Sequence, residues 1–285
     1  VSVTITDVVL RDGLQDEPAV VPVADRVAIA EALVAAGLRH LEAGSFVNPA
    51  KVPQMAGAED LVAALPHQDS VRYTFLALNA RGVRRAVAAG ARDVLVVASA
   101  SSGHSRANAG RDSDAALDDL ARAVAEHPGT AFRAGISTAF VCPFDGAVAP
   151  DRLVAVARRF AVMGIRRIGL ADTLGTATPD QVMTSLARVR DALPDIELSL
   201  HLHNAHGQAL STVDAAIEAG VTRFDSAAGG YGGCPFAPGA HGNIATEDLV
   251  AHLHARGIPT GIDEDVLSTA VATVREALRR APAPA

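Results

Sequence analysis

Residues 199–207 read SLHLHNAHG, with two imidazoles, His201 and His203, one residue apart. On a strand, positions i and i+2 point to the same face. On a helix they would stand about 200° apart and could not share a ligand. The apolar run before them predicts a strand over 196–202, and on it the pair becomes two nitrogen donors aimed at one spot. Same-face imidazoles joined by a carboxylate make a divalent cation site. The chemistry therefore depends on which other residues the fold brings there.

Short apolar runs recur at 2–9, 39–43, 71–77, 93–98, 131–138, 165–170, 196–202 and 221–226 and predict eight strands. Helix-period segments lie between them. Four of these close on Gly37, Gly90, Gly164 and Gly220, each followed shortly by the next apolar run. This repeated helix–Gly–strand unit predicts an α/β fold, a (β/α)8 TIM barrel, with residues 1–285 as one domain. A doubly wound sheet is the alternative, but no GxGxxG follows the first strand. After the eighth strand, residues 227–244 (AAGGYGGCPFAPGAHGNI) read as a Gly/Pro-rich lid loop. Two further helical segments follow, over 245–256 and 263–280.

Barrel chemistry gathers where strands meet the loops that follow them. The first strand leads to Arg11, Asp12 and Gln15, the second to Glu42 and Ser45, and the sixth to Asp172 and Thr173. The seventh carries His201 and His203, with Asn204 next, and the loop after the eighth carries Cys234 and Asn243. Strands one, seven and eight are neighbours in a closed barrel, so Asp12 is the natural carboxylate and Asn243 an added amide oxygen. A donor set of nitrogen and oxygen without thiolate suits Mg²⁺ or Mn²⁺, with Zn²⁺ also open. Taken singly, each residue has a plainer reading: an HxH pair is often packing, Asp12 could cap a turn, and Cys234 could be an inert small residue. Their joint placement at one rim favours the cation. His67, His104, His127, His252 and His254 lack such company, and Cys142 is read as structural. His206 and His241 adjoin site residues and stay open between support and coincidence.

Composition sets outer bounds. The chain has 285 residues, 49% apolar but only 4% aromatic and without Trp, so Ala, Val and Leu must fill the core. A net charge of −7 and the absence of a basic run argue against nucleic acid. No stretch reaches the roughly 20 apolar residues of a membrane span. Two cysteines and no signal-like start make the reducing cytoplasm the expected compartment.

Several motifs resemble one family: RDGLQDE (11–17), SFVNP (45–49), VPQM (52–55), CPFDG (142–146), DTLG (172–175), HLHN with GQAL (201–210) and GGCPFAPGAHGNIATEDLV (232–250). Together they are similar to the 3-hydroxy-3-methylglutaryl-CoA lyases, within the metal-dependent lyase and synthase barrels. The resemblance implies that Asp12, His201, His203 and Asn243 hold the cation. It implies that Arg11 polarises a thioester carbonyl and that Cys234 donates a proton from a mobile lid. Glu42, Asp172 and Glu247 match acids near the site, and Asn108 matches a residue that helps bind the CoA thioester. The full reading gives Arg11, Cys234, Glu42 and Asp172 catalytic roles and Gln15, Ser45, Asn108 and Glu247 substrate contacts. The implied partner is an acyl-CoA, and the implied assembly is a homodimer.

The chain also departs from the family pattern. Asn204 stands where Asp is common, His206 where Tyr is frequent, His241 where a small hydroxyl residue is usual, His104 in place of an aromatic, and Pro18 for a basic residue. His206 and His241, with Gly44 opening space beside Ser45, are expected to alter the acyl pocket. The expected reaction is cleavage of a 3-hydroxyacyl-CoA to acetyl-CoA and a keto acid. Condensing synthases and 4-hydroxy-2-oxoacid aldolases are the alternative on the same barrel.

Overall fold

The structure is a computed structural model that describes residues 2–233 and 241–283. Eight parallel strands close into a barrel: β1 (Thr4–Asp7), β2 (His40–Ser45), β3 (Arg72–Ala77), β4 (Asp93–Ser99), β5 (Ala131–Ser137), β8 (Arg167–Asp172), β9 (Glu197–Leu202) and β10 (Arg223–Ser226). β6 (Val141–Cys142) and β7 (Gly146–Ala147) form a small antiparallel hairpin outside the barrel, too short to be marked by an apolar run in the sequence. The expected strands are all present, most trimmed by a residue or two. β2, β4 and β8 instead run further, to Ser45, Ser99 and Asp172. Barrel closure pairs β1 with both β2 and β10, and β10 with β9. That closure makes Asp12, His201 and the segment after β10 neighbours.

The helices surround the barrel: α1 (Val23–Ala35), α2 (Ala58–Ala64), α3 (Ala80–Ala88), α4 (Ser102–Ala109), α5 (Ser113–Glu126), α6 (Pro150–Val162), α7 (Pro179–Ala192), α8 (Ala209–Glu218), α9 (Thr246–Ala255) and α10 (Glu264–Arg280). The helix before each of Gly37, Gly90, Gly164 and Gly220 ends there, with all four glycines at positive φ. α9 and α10 are the two expected C-terminal helices. α10 lies against α1, where the Asp263 amide donates to the Ala36 carbonyl at 2.8 Å. The core between barrel and helices is built from Ala, Val and Leu, with Phe160 and Phe224 among its largest fully buried side chains.

Two local irregularities aim the site residues. After β1 the chain makes a π-helical turn over Val9–Gly13, which carries Arg11 and Asp12 over the barrel mouth. In β2 the pairing with β3 skips a residue between Glu42 and Gly44. In a regular strand Glu42 and Ser45 would face opposite ways. The bulge puts Glu42 opposite Thr74 and Ser45 opposite Leu76, so both belong to the inward set. It also turns Gly44 outward. A Cβ there would meet Leu61 and Phe75 at 3.5 Å, so Gly44 adds no room to the site, contrary to expectation.

The loop after β8 touches the loop after β9 at Gly175. A Cβ there would lie 2.7 Å from the Ala205 nitrogen and the His203 carbonyl carbon, and φ is +70°. Gly175→Ala therefore adds left-handed strain to a backbone overlap. It should cost at least about 2 kcal/mol and lower Tm by about 4 °C or more in a chain of this size. A thermal melt at wild-type temperature would show that the loop yields.

Candidate active site

Asp12 and Arg11 come from the π turn, Glu42 from β2, His201 from β9, His203 from just beyond it, and Asn243 from the segment that follows β10. All six are buried. Ligand atoms of Asp12, His201 and His203 lie within 4.8 Å of one another, the single such group of three or more His, Cys, Asp or Glu among the described residues. His201 Nδ1 faces Asp225 Oδ2 at 3.3 Å, and His203 Nδ1 bonds the His241 carbonyl oxygen. Each Nδ1 thus has an acceptor for the ring proton, and both Nε2 atoms are turned toward one spot. Those two Nε2 atoms face each other at 3.0 Å. Asp12 Oδ2 sits 3.8 Å from one and 3.5 Å from the other. Three electron-rich atoms converge where only a proton or a cation relieves their repulsion.

Asn243 completes this corner. Its amide donates to Asp12 Oδ2 at 2.7 Å and to the Tyr231 carbonyl at 2.9 Å. Its Oδ1 is buried and has no hydrogen-bond partner among the described residues. An orphaned buried oxygen costs stability unless something positive meets it, so the residues present fit a divalent cation. Gly232 packs against the same corner. A Cβ on it would stand 2.3 Å from Asn243 Nδ2 and 2.9 Å from Asp12 Oδ2, and its φ is +120°. No side chain fits there.

Arg11 holds two carboxylates, bonding Asp12 through Nη1 and Glu42 through Nε. Burial opposes charge on all three, but it does not win equally. It is outweighed at Asp12, where Arg11, His201 and His203 hold the carboxyl far below its usual range. At Glu42 burial prevails over the pull of Arg11 and lifts the carboxyl above its usual range. At His201, too, burial is outweighed, and the bond to Asp225 and the charge of Asp12 raise its affinity for a proton.

A cavity opens beneath these groups. Arg11, Asp12, Gln15, Glu42, Asn108, Thr173, His201 and His203 all line it. Ser45 and Asp172 are buried beside it, and Ser45 Oγ and Asp172 Oδ1 lack partners among the described residues. Asp172 Oδ2 accepts from the Ala177 amide at 3.0 Å. Glu247 does not line the cavity. It accepts from the Gly229 amide at 2.9 Å and so supports the turn after β10. Cys234 lies outside the described residues.

Several neighbours differ from what the sequence leads one to expect. The side chains of His206 and His241 are exposed and do not line the cavity. His241 serves through its backbone carbonyl, and the expectation that the pair reshapes the acyl pocket is not met. Asp225, which orients His201, was missed, although its place two residues after Arg223 on a strand ending at the rim was a usable signal. Asp7 was missed too. It ties three segments together by accepting from Val9 N at 2.9 Å, Ala228 N at 3.0 Å and Thr246 Oγ1 at 2.7 Å. Burial lifts its pKa to about 7. Thr138, at the exit of β5, holds φ 48° while fully buried. This is a strained state for a β-branched residue, fixed by its amide bond to Thr173 Oγ1 at 2.8 Å.

In the sequence, His104 has no chemical company. It is in fact buried and lines the cavity, with Nδ1 2.7 Å from Ser99 Oγ. Burial lowers its pKa to about 4. The unfolded chain, with an ordinary imidazole, therefore binds more protons than the folded one between about pH 6.5 and 4. The stabilisation is complete above that window and is lost as pH falls through it, by about 3 kcal/mol at most. Tm measured from pH 7.5 to 4.5 should drop more steeply for the wild type than for His104→Phe. Parallel profiles would mean that His104 is not held neutral by its site.

The HMGL-like family model matches residues 2–274. The (R)-citramalyl-CoA lyase of Chloroflexus aurantiacus is 44% identical, over 94% of this chain and 89% of its own length. The hydroxymethylglutaryl-CoA lyase of Pseudomonas mevalonii is 41% identical over the same shares. Among solved structures, an HMG-CoA lyase from Acenitobacter baumannii, in complex with coenzyme A and 3-methylmalate, superposes with a TM-score of 0.94 at 38% identity. The match covers 100% of this chain and 93% of that one. With this fold, this site and these relatives, the chain belongs to the HMGL-like family and is a lyase.

Proposed function

We propose that the chain cleaves a 3-hydroxy-3-methylglutaryl-CoA-like thioester to acetyl-CoA and a keto acid, with Mg²⁺ or Mn²⁺ held by Asp12, His201, His203 and Asn243. The observation that carries this reading is the pair of imidazole Nε2 atoms facing each other at 3.0 Å beside Asp12. The names of the relatives, acyl-CoA lyases in each case, support the substrate class. A homodimer in the cytoplasm belongs to the same reading.

The cation, when bound, supplies positive charge that lowers the pKa of the substrate's tertiary hydroxyl. Glu42 is the better base of the two acids, because burial raises its proton affinity while Arg11 and the imidazoles hold Asp12 ionised. As Glu42 takes the hydroxyl proton, the C2–C3 bond breaks and its electron pair moves into the thioester as an enolate. Arg11, buried and held by two carboxylates, offers a fixed positive charge to that oxygen. Cys234 is read as the acid that protonates the former C2, giving acetyl-CoA. Gln15 and Asn108, which line the cavity, are read as contacts to the thioester arm.

Exhaustive chelation should abolish acetyl-CoA release from 3-hydroxy-3-methylglutaryl-CoA, and Mg²⁺ or Mn²⁺ should restore it. His203→Ala should bind neither ion by calorimetry. Full turnover in a preparation without metal by elemental analysis would overturn the cation assignment. Consumption of acetyl-CoA with a keto acid, without cleavage, would favour the condensing alternative.

Arg11→Lys keeps the charge but loses the planar fork that spans Asp12 and Glu42. kcat should fall by about 10²-fold or more, the scale of a lost oxyanion donor, with metal content unchanged. Cys234→Ser should also lose turnover and keep its metal. A near-normal rate in that variant would assign the protonation to another acid.

A further inference from the structure

The interior of the barrel does not close below the site. One cavity runs from Arg11, Asp12, His201 and His203 at the rim to Arg133, Arg167, Glu197 and Arg223 at the opposite ends of the strands. Barrel interiors are ordinarily packed with bulky branched side chains in layers. Here the middle layer is filled on one side only. Glu42 and Asp225 occupy it on β2 and β10, engaged by Arg11 and His201. On β5, β8 and β9 the lining positions are Gly135, Gly169 and Ser199. Neither glycine is at positive φ, so the backbone does not require them. A Cβ at Gly135 would come to 3.1 Å from Val97 Cγ2, and one at Gly169 to 3.1 Å from Ser199 Oγ. What these glycines supply is room for the side chains of Val97 and Ser199, which line the passage and which a Cβ would push into it.

The floor of this passage has a charge imbalance. Arg133 donates twice to Asp93 Oδ2, at 3.1 and 2.8 Å. Arg167 pairs with Glu197 Oε2 at 2.9 Å, and Arg223 donates to the other oxygen of the same Glu197 at 2.5 Å. Three guanidinium groups thus share two carboxylates. Arg133 is answered by Asp93, so the imbalance falls on Arg167 and Arg223, whose side chains are partly exposed and share the single carboxylate of Glu197. Burial and the repulsion of these arginines together hold the neighbouring His40 neutral, with a pKa near 4, so it adds no charge.

We propose that this passage receives an acyl arm: a C3 substituent longer than carboxymethyl runs past Gly135 and Gly169, and its terminal carboxylate meets Arg133, Arg167 and Arg223. The inference rests on the thioester-cleavage reading and deepens it by naming the substrate class. His201 and Glu197 are four residues apart on β9, about 13 Å along the strand at the usual rise. A short acyl group bound at the cation corner would leave that depth unused. The apolar walls suit methylenes, and the planar guanidinium forks suit a carboxylate.

The test compares three thioesters: 3-hydroxy-3-methylglutaryl-CoA, an analogue whose carboxylate-bearing C3 arm is extended by several methylenes, and one with an uncharged alkyl arm of the same length. The extended carboxylate should give the highest kcat/KM. The double variant Gly135→Ala, Gly169→Ala, which narrows the passage, should lower the ratio of extended to short substrate by about tenfold or more. Arg167→Gln should raise KM for the extended carboxylate more than for the alkyl analogue. Cleavage of the short substrate with none of the extended one overturns this inference alone. So does an alkyl arm that performs as well as the carboxylate, or a narrowed passage that lowers all three rates equally. Failure to cleave any of the three overturns the underlying reading as well.

Discussion

The site depends on keeping Asp12 ionised while it is buried. A carboxylate taken from water at this depth would ordinarily accept a proton. Arg11, from the adjacent position, prevents that, and the two oxygens then divide their work. Oδ1 answers the guanidinium, while Oδ2 faces both imidazoles and the Asn243 amide. Everything nearby is arranged to keep Oδ2 in place. The π turn brings Asp12 over the barrel, and Gly232 leaves the approach clear. Asp7 binds the turn after β1 to the segments after β10, so that Asp12 and Asn243 share one frame.

The same balance separates two acids that are chemically alike. Asp12 and Glu42 share one arginine and are equally out of water. Asp12 also has the imidazoles, whereas the other charges felt by Glu42 are the negative ones of Asp225 and Asp12. One carboxyl is thereby held as an anion suited to bind a cation, and its neighbour is left with the higher affinity for a proton. Pushing the affinities of paired titratable groups apart is how one cleft comes to hold both a ligand and a base. Removing the charge of Arg11 would alter both acids at once.

Much of this was legible in the chain itself. Alternation along a strand put His201 and His203 on one face, and barrel closure named Asp12 as their neighbour. Both inferences need only the period of a strand and the count of strands. What escaped depends on backbone irregularity or on which atoms of a residue do the work. The bulge in β2 brings Ser45 inward beside Glu42 and sends Gly44 outward, and nothing in HLEAGSF marks it. His241 was noticed as a side chain, yet it acts through its carbonyl. His104 looked isolated because Ser99, its partner, is five residues back across the turn from β4 into α4.

Gly135, Gly169 and Ser199 raise a different point about how function is layered in this barrel. The rim groups act on atoms that any 3-hydroxyacyl thioester carries, so they constrain the reaction far more than the substrate. Choice among acyl groups has to come from surfaces that the reacting atoms do not touch. In a barrel, those surfaces lie on the same strands, two and four residues before the rim, because alternate positions point inward together. His201 is followed inward by Ser199 and then Glu197, and Ala171 by Gly169 and then Arg167. Each strand thus carries a reacting end, a spacer and a floor in register. Side-chain volume in the spacer layer can change without moving a ligand of the cation, which leaves the depth of the pocket free to vary while the chemistry at the rim is held constant.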